Sequence, residues 1–363
     1  MMDLRMLRQF DWILFLCMLS VVGLGSLMIY SATFQTSRAD LYIRQLQWFT
    51  IAMVLFIIIL QIDYHTLTDL SPMFYIVSLL LLAAVLIFGR KINGARSWFF
   101  VAGYSFQPSE IAKIASILLL SKYLSQENRT YLVFKDFLMA GLIMGIPMLL
   151  IILQPDMGTT LTFIPPLILL MFLAGMRWRL IFLAIASGIA SLPIFWTFLK
   201  QYQKARILTF INPMIDPRGS GYQIIQSKIA VGSGMIFGKG LFSKATQSYL
   251  DFIPEKQTDF IFSILAENFG LIGVLVALAI YFLLIVRVLN AAKQARDRVG
   301  TFVVMGILAV FFFHIVVNIG MVIGLMPITG LPLPLMSYGG SSLLSTVVGL
   351  AIITNVRMRR FVN

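Results

Sequence analysis

The sequence predicts an all-α polytopic membrane protein, with about ten transmembrane helices, both termini cytoplasmic and a large extracytoplasmic loop between helices 7 and 8. Of its 363 residues, 59% are apolar and only 12% are charged, and this charged share is about half that of a typical soluble domain. The mean hydropathy of +0.91 excludes a soluble globular protein of this length, because its surface would leave too many residues facing water. The scarcity of charge also excludes a disordered chain.

The apolar segments set the number of helices, since about 17–25 apolar residues cross a bilayer as a helix. The basic N-terminus resembles a signal peptide, but the apolar run that follows is too long, so we predict an uncleaved anchor. The fourth segment is the most polar, with Glu110 and Lys113 inside it, and its early Pro108 is tolerated in a first turn. We treat residues 1–363 as one transmembrane domain. The predicted spans are residues 12–30, 46–62, 72–88, 108–124, 137–153, 159–175, 178–199, 258–287, 301–325 and 335–355.

The basic residues predict the orientation. With the N-terminus inside, the inner segments hold fourteen of the 28 Lys and Arg residues, the outer segments six, and the loop 200–257 the other eight. This bias follows the positive-inside rule. The net charge of +13 therefore fits loops that face anionic lipid headgroups. Since the chain has no nucleic-acid-binding motif, we expect no nucleic acid partner.

The loop 200–257 is the one long connection. A loop of this length is functional or disordered, and this one is rich in tyrosine and phenylalanine and contains an amphipathic stretch at 222–236. We predict a folded subregion that lies on the outer membrane face. The single Cys17 excludes an intrachain disulfide and a cysteine-based metal site.

The acidic residues near the membrane are the main candidates for chemistry, because a charge in the hydrocarbon region is costly. On a helix that includes residue 258 onwards, Asp259, Ser263 and Glu267 would follow one polar stripe that descends from the outer surface. A carboxylate there suits a general base or a ligand of a hard divalent cation. Alternatively, Asp259 caps the helix N-terminus.

Other polar groups leave two interpretations open. Glu110 and Lys113, three residues apart, either face a polar cavity or form a structural ion pair. Asp156 lies in the turn 154–158, on the same side as Asp259, and serves either the site or the turn itself. His314 and Asn318 are interpreted as interhelical hydrogen-bonding groups.

The outer loop combines bases with glycines, as an anion-binding backbone does. Its segment 234–240 lacks the spacing of a P-loop, and the alternative is a solvated basic face. The prolines and glycines of 330–342 break helix regularity, which a membrane tolerates only where backbone is buried in protein or lines a wet cavity. We expect an outward cavity there. The basic candidates are Lys204, Arg206, Lys228, Lys239 and Lys244.

Five segments, taken in order, resemble the SEDS family (shape, elongation, division and sporulation). The family's ten-helix layout and large outer loop match as well. One position departs, since family members often have His where this chain has Gln257. The matching segments are Asn93–Trp98, Phe106–Lys113, Gln154–Gly158, Pro254–Phe260 and Gly330–Ser342.

The resemblance implies a peptidoglycan glycosyltransferase of the bacterial cytoplasmic membrane, which polymerises lipid II and releases undecaprenyl pyrophosphate. It also implies a class B penicillin-binding protein as transpeptidase partner, and a divalent cation (Mg²⁺ or Mn²⁺) without an organic cofactor. Asp259 is the carried-over catalytic residue and a candidate metal ligand. The further substrate-binding candidates are Glu110, Lys113, Asp156, Arg206, Lys228, Lys239, Ser337 and Ser341.

Two alternatives differ in where essential polar groups should lie. A flippase for the same lipid-linked precursor needs them through the full membrane depth, whereas a scaffold that recruits synthases needs none. A polymerase needs its carboxylate at the outer face.

Overall fold

The computed structural model describes residues 9–34, 39–92, 95–101, 104–126, 132–217, 219–247, 249–250 and 252–360. Its helices up to the long loop are α1 Trp12–Thr33, α2 Leu41–Gln61, α3 Tyr64–Asp69, α4 Ser71–Phe88, α5 Pro108–Gln126, α6 Phe134–Leu153, α7 Met157–Leu161, α8 Ile164–Leu173 and α9 Trp178–Phe198. They are followed by α10 Gln201–Ile211, a 3₁₀ turn Pro213–Ile215, α11 Ser220–Ser233, α12 Ile261–Lys293, α13 Arg298–Val322 and α14 Gly340–Met358.

Each predicted span coincides with a helix or a pair of helices. In the described part of the chain, seven helices are long and apolar enough to cross a membrane, namely α1, α2, α4, α6, α12, α13 and α14. The chain is therefore a helical multi-pass membrane protein. The total of ten crossings stays a prediction.

Three predicted elements differ in the structure. The sixth span is two short helices, α7 and α8, because the chain turns at 162–163 before a pair of prolines at the start of α8. The eighth begins at Ile261 rather than 258, so the predicted helical stripe through Asp259 is wrong. Three short strands between α4 and α5 form an antiparallel sheet that was not predicted, in addition to the predicted helices. Its strands are β1 Arg90–Ile92, β2 Ala95–Val101 and β3 Tyr104–Phe106.

The last two helices form the centre of the bundle. Two thirds of the most apolar stretch of α13 and of α14 is buried, against 22% for α2. α13 packs on α5, α8 and α12, and α14 packs on α2. Polar groups on α5, α13 and α14 are therefore enclosed by protein rather than lipid.

The bundle has two distinct faces. At one face the described chain ends meet, since the Arg360 guanidinium donates to the side-chain oxygen of Gln9 at 2.7 Å. We call it the terminal face. The opposite face carries residues 200–257 and Asp259, and we call it the loop face. Which face is cytoplasmic stays a prediction. In the long segment, α11 covers most of the predicted amphipathic stretch.

Candidate functional site

Asp259 lies in a tight turn just before α12. The backbone N–H groups of Thr258 and Asp259 both donate to the carbonyl of Glu255, at 3.1 and 3.2 Å. Glu255 adopts a left-handed conformation with φ of 51°, which is uncommon for a residue other than glycine. This turn brings the two carboxylates within electrostatic range. Phe260 is the N-cap residue, and its side chain makes no capping bond, so Asp259 does not serve as the helix cap.

The segment 330–342 holds this turn from behind. Ser337 donates through its hydroxyl to the carbonyl of Thr258 at 2.6 Å and accepts from the N–H of Leu333 at 2.9 Å. The amide of Asn318, on α13, donates to the carbonyls of Asp259 and Leu331 at 2.9 and 2.8 Å. The non-helical backbone is thus buried in protein, where its polar groups find partners. Ser337, predicted to bind substrate, fixes the main chain beside Asp259.

Two glycines allow the backbone to pack closely around Asp259. Gly330 has φ of +73°, and a Cβ added there would lie 3.8 Å from Oδ2 of Asp259, so this backbone borders the carboxylate. A Cβ on Gly158 would lie only 2.3 Å from the carbonyl oxygen of Thr329. The turn 154–158 therefore packs directly on the segment that borders Asp259.

Asp156 organises this second turn. Its carboxylate accepts from the backbone N–H of Thr159 at 3.1 Å, from the hydroxyl of Thr159 at 2.9 Å and from the side-chain amide of Gln107 at 3.1 Å. It thereby caps α7, as turn chemistry predicts, and ties α7 to the start of α5. Burial raises the pKa of Asp156 above its usual range, although the bonds from Thr159 oppose this effect.

α10 brings a cation to the site. The hydroxyl of Tyr202 donates to the carbonyl of Pro155 at 2.9 Å, which docks α10 on the turn 154–158. One turn further along α10, the guanidinium of Arg206 lies 5.9 Å from the centre of the Tyr202 ring. Its charge also acts on Asp259. Of the predicted basic candidates, Arg206 is the one with an electrostatic effect on the Asp259 carboxylate.

Asp259 is a carboxyl group adjusted for proton transfer near neutral pH. Burial and the negative charge of Glu255 raise its pKa to about 6, with Arg206 acting in the opposite direction. The residue is only partly buried, so a substrate can reach it. A carboxylate with this pKa is ionised at pH 7 and close to the optimum for a general base.

A second polar cluster lies deeper in the bundle. The Lys113 ammonium binds Oε1 of Glu110 at 2.8 Å and lies 3.4 Å from Nε2 of His314, while the Ser345 hydroxyl donates to Oε2 of Glu110 at 2.5 Å. Glu110, Lys113, His314 and Ser345 lie beside a cavity of about 50 Å³ whose other walls are mainly apolar side chains. The structure shows the ion pair of Glu110 and Lys113, whereas a role of the two residues at a polar cavity stays a prediction.

α13 connects the cluster with the site. His314 contacts the carbonyl of Pro332 through Nδ1 at 3.3 Å, and one turn along the helix Asn318 holds Asp259 and Leu331. Ser341 joins the same region by accepting from the N–H of Gln107 at 3.0 Å and donating to the carbonyl of Ser105 at 3.2 Å. Its role here is to fasten the sheet to α14.

Two predicted bases have other surroundings. Lys239 binds Oε1 of the fully buried Glu267 at 2.8 Å and the carbonyl of Ala245 at 3.0 Å. Lys228 is exposed on α11 and runs beside the turn at Gly324, whose added Cβ would lie 2.5 Å from its Nζ.

Sequence reasoning missed two contributors to the site, Glu255 and Tyr202. Glu255 stands four residues before Asp259, a spacing that places two groups on one turn of a chain. Tyr202 acts through a backbone carbonyl, which leaves no mark in the sequence. Asn318 was predicted as a hydrogen-bonding group, but its partners, the carbonyls of Asp259 and Leu331, were not.

The residues around Asp259 fit a divalent cation that is shared with substrate. In the ranges that the structure covers, no three His, Cys, Asp or Glu side chains group together as a metal cage. Mg²⁺, however, is commonly held by one or two carboxylates together with waters and substrate phosphates. Asp259 and Glu255 supply such a pair.

Comparison with known proteins agrees with the fold and with these segments. A family model described as a cell cycle protein of the FtsW, RodA and SpoVE type matches residues 11–361. The peptidoglycan glycosyltransferase MrdB of Escherichia coli K12 is 38% identical over 351 residues, 96% of this chain and 94% of that protein. The peptidoglycan glycosyltransferase RodA of Treponema pallidum is 33% identical over 434 residues, 99% of this chain and all of that one.

Solved structures resemble the whole chain as well. A chain of a peptidoglycan synthase complex that coordinates polymerization and crosslinking superposes with a TM-score of 0.84 at 32% identity, covering 98% of this chain and 99% of that one. The rod shape determining protein RodA of Thermus thermophilus gives 0.74 at 30% identity, with 98% of both chains covered. Together with the site geometry, these matches show that the chain belongs to the FtsW, RodA and SpoVE family of cell cycle proteins, the SEDS family.

Proposed function

We propose that this chain is a peptidoglycan glycosyltransferase that polymerises lipid II into glycan strands. The observation that carries the proposal is the partly accessible Asp259 carboxylate at the loop face, with its pKa raised to about 6 between Glu255 and Arg206. Family relatives named as peptidoglycan glycosyltransferases support the same activity.

In the proposed reaction, a hydroxyl oxygen of the acceptor sugar attacks the anomeric carbon of the donor. The bond from that carbon to the pyrophosphate oxygen breaks, and the bonding electrons leave with the pyrophosphate. Asp259 accepts the proton of the attacking hydroxyl, as a general base with a pKa just below the working pH. A single displacement of this kind inverts the anomeric centre.

Arg206 is the residue we assign to the departing pyrophosphate, because cations placed where charge develops stabilise the transition state. Its stacking on Tyr202 and the bond from Tyr202 to Pro155 hold it in place. We assign Lys228 a weaker, outer role in attracting the anionic headgroup. The engagement of Lys239 with Glu267 favours a structural role for that base.

We propose that Glu110, Lys113 and Asp156 form the floor of the site. Their bonds to Ser345, Gln107 and Thr159 keep the polar groups fixed before substrate binds. Preorganised dipoles of this kind need no reorganisation during the reaction.

A divalent cation, Mg²⁺ or Mn²⁺, is part of the proposal. If Asp259 serves as metal ligand instead of as base, it would hold the cation together with Glu255 and the substrate's phosphates. When bound, it would neutralise charge on the pyrophosphate leaving group.

We further propose the bacterial cytoplasmic membrane as the location, with the loop face outward, and a class B penicillin-binding protein as partner. The structural likeness to a chain of a peptidoglycan synthase complex supports a partner that crosslinks the strands. Lipid II and the released undecaprenyl pyrophosphate would reach the site from the bilayer.

The test combines purified protein, its partner, lipid II and Mg²⁺ or Mn²⁺ in proteoliposomes. We expect glycan polymer from the parent protein and none from Asp259→Ala. The matched control is Asp40→Ala, which removes an exposed carboxylate paired with Arg44 and should leave polymerisation intact.

Polymer formation by Asp259→Ala at the parent rate would contradict the assignment of Asp259. Transfer of labelled lipid II across the vesicle membrane without polymer would favour the flippase. If this chain recruits an active partner synthase but forms no polymer itself, the result would favour the scaffold.

A further inference from the structure

The turn between α11 and the rest of the outer segment is exposed and apolar. Met235, Ile236 and Phe237 are 79%, 56% and 79% exposed. Other apolar side chains of the outer segment, such as Ile211 and Met214, are exposed as well, but here three consecutive ones form a contiguous apolar patch, which marks a contact surface. The question is what covers them.

The backbone of this turn is bound to a break in α12. Gly270 has φ of 63° and ψ of −160°, which interrupts the helix. In an unbroken helix the N–H groups of residues 271 and 272 would bind the carbonyls of 267 and 268. Here Leu271 and Ile272 donate instead to the carbonyls of Met235 and Ile236, at 2.8 and 3.2 Å.

The two carbonyls left over by the break are also used. The N–H groups of Lys239 and Gly240 donate to the carbonyls of Glu267 and Asn268, at 2.9 and 3.0 Å. The turn and the break therefore satisfy each other's backbone groups. Irregular backbone is tolerated at membrane depth only when such bonds are made inside the protein.

Glycines make this close approach possible. A Cβ on Gly238, which has φ of +79°, would lie 2.2 Å from the carbonyl oxygen of Asn268. A Cβ on Gly270 would lie 2.4 Å from the N atom of Gly238. The glycines of 234–240, which the sequence indicated as an anion-binding backbone, here serve close contact with α12.

The depth of the turn follows from the packing of α1 on α12. At the terminal face, Arg287 binds Asp11 at 3.0 Å, and at the other end the Asn268 amide binds the Ser31 hydroxyl at 3.0 Å. From residue 11 to residue 31 the helix rises about 30 Å, which matches the ~30 Å thickness of a hydrocarbon core. Leu271 follows Asn268 towards the terminal face, so Met235 and Ile236 are bonded to α12 within the stretch between these two contacts.

Aromatic side chains mark the same boundary. The ring of Phe242 contacts the rings of Tyr30 and Phe34 at centroid distances of 5.6 and 4.9 Å, at the end of α1. Trp12, 61% exposed, stands at the other end of α1. Trp and Tyr concentrate at the two membrane interfaces, so Trp12 and Tyr30 agree with interfaces near the two ends of α1.

We propose that residues 234–240 form a re-entrant wedge whose apolar side chains insert among the acyl chains of the leaflet at the loop face. The wedge continues the lipid-facing surface of α12, where Leu271 and Leu275 are also more than half exposed. On its protein side, Lys239 and the buried Glu267 are paired under this apolar cover. The proposal does not depend on the catalytic assignment.

The test uses site-directed nitroxide labels in vesicles of phosphatidylcholine and phosphatidylglycerol. Cys17 is the only cysteine, so Cys17→Ala gives a background for single labels at Phe237→Cys, Leu275→Cys and Gln201→Cys. We expect the ratio of collisions with oxygen to collisions with an aqueous nickel chelate to be high at 237 and 275. The exposed Gln201 position should give a low ratio.

A ratio at 237 as low as that at 201 would overturn the proposal. So would a low ratio that rises only when the protein partner is added, since the surface would then belong to a protein interface.

A second pair of variants tests the backbone bonding. Gly238→Ala should shift the label at 237 towards the aqueous value, because its Cβ collides with the carbonyl of Asn268. Gly232→Ala is the matched control, since a Cβ there meets no described atom within 4 Å. An unchanged ratio in Gly238→Ala, with the label at 275 also unchanged to show a folded bundle, would contradict the proposal.

Discussion

The acidic limb of the activity profile should report the ionisation of Asp259. Its pKa of about 6, against the usual value of 3.8, is a shift of about 2 units, or about 3 kcal/mol favouring the neutral acid. With a pKa of about 6, roughly nine tenths of the protein has the base form at pH 7 and one tenth at pH 5. The rate of polymerisation should therefore fall about tenfold between these values.

Two neighbours should move this limb in opposite directions. Glu255→Gln removes a negative charge that disfavours ionisation of Asp259, so the midpoint should move to lower pH. Arg206→Gln removes a positive charge that favours ionisation, so the midpoint should move to higher pH. Arg206→Gln should also lower the rate on the plateau, because the residue is assigned to the pyrophosphate.

The assay measures initial rates of lipid II polymerisation from pH 5 to 8 at constant ionic strength, with partner and cation present. Each profile is scaled to its own plateau, so that the midpoint is read separately from the maximal rate. Asp40→Ala, far from the carboxylate pair in sequence and exposed, should keep the parent midpoint. Displacement of both variants in the same direction, or a flat parent profile between pH 5 and 7, would refute the reasoning.

Two further predictions concern stability, read as unfolding midpoints in detergent. Lys113→Met leaves the buried Glu110 carboxylate without its cation and should lower the free energy of unfolding by about 3–5 kcal/mol. The double variant, Lys113→Met with Glu110→Gln, should recover most of this stability. Equal losses of stability in the single and the double variant would contradict the ion pair. Gly158→Ala should destabilise the protein because its Cβ meets the carbonyl of Thr329 at 2.3 Å. Gly141→Ala is the control and should not destabilise the protein, because its Cβ meets no described atom within 4 Å. Similar unfolding midpoints of Gly158→Ala and Gly141→Ala would contradict the close packing at Gly158.

Hydropathy located the helices well, because a bilayer demands long apolar runs wherever the chain crosses it. Even the polar α5, with Glu110 and Lys113, was placed correctly, since its residues face the centre of the bundle. Hydropathy could not place the start of α12. The apolar run begins at Phe260, and the two polar residues before it were included in the predicted helix, but their carbonyls are bound by Ser337 and Asn318 from other parts of the chain.

The break at Gly270 also left no local signal. A glycine inside an apolar run is compatible with a continuous helix, and the bonds that stabilise the break come from residues about thirty positions earlier. For the same reason Lys239 was interpreted as a pyrophosphate ligand. Its partner Glu267 was recognised as a costly intramembrane charge, but sequence alone does not pair two such residues.

The site was predictable in its key residue and less so in its surroundings. Asp259 stood out as one acidic group in a chain with few of them. Glu255, Tyr202 and Asn318 reach it through turns and carbonyl contacts, which depend on the folded backbone. The family resemblance supplied the order of the segments, and the structure shows that three of them, at 154–158, 254–260 and 330–342, meet at one point.

The end of α1 has a consequence for the assembly of this protein. Asp11 binds the N–H of Leu14, the guanidinium of Arg287 and that of Arg357, so one carboxylate joins the first, the eighth and the last long apolar segments. At a synthesis rate of roughly 5–20 residues per second, Arg357 leaves the ribosome roughly 20 to 70 s after Asp11. Until Arg287 is made, the carboxylate has only the N–H of Leu14 among these three partners, and Arg357 completes the set last. The full set of bonds at the terminal face can therefore form only after Arg357 has been made.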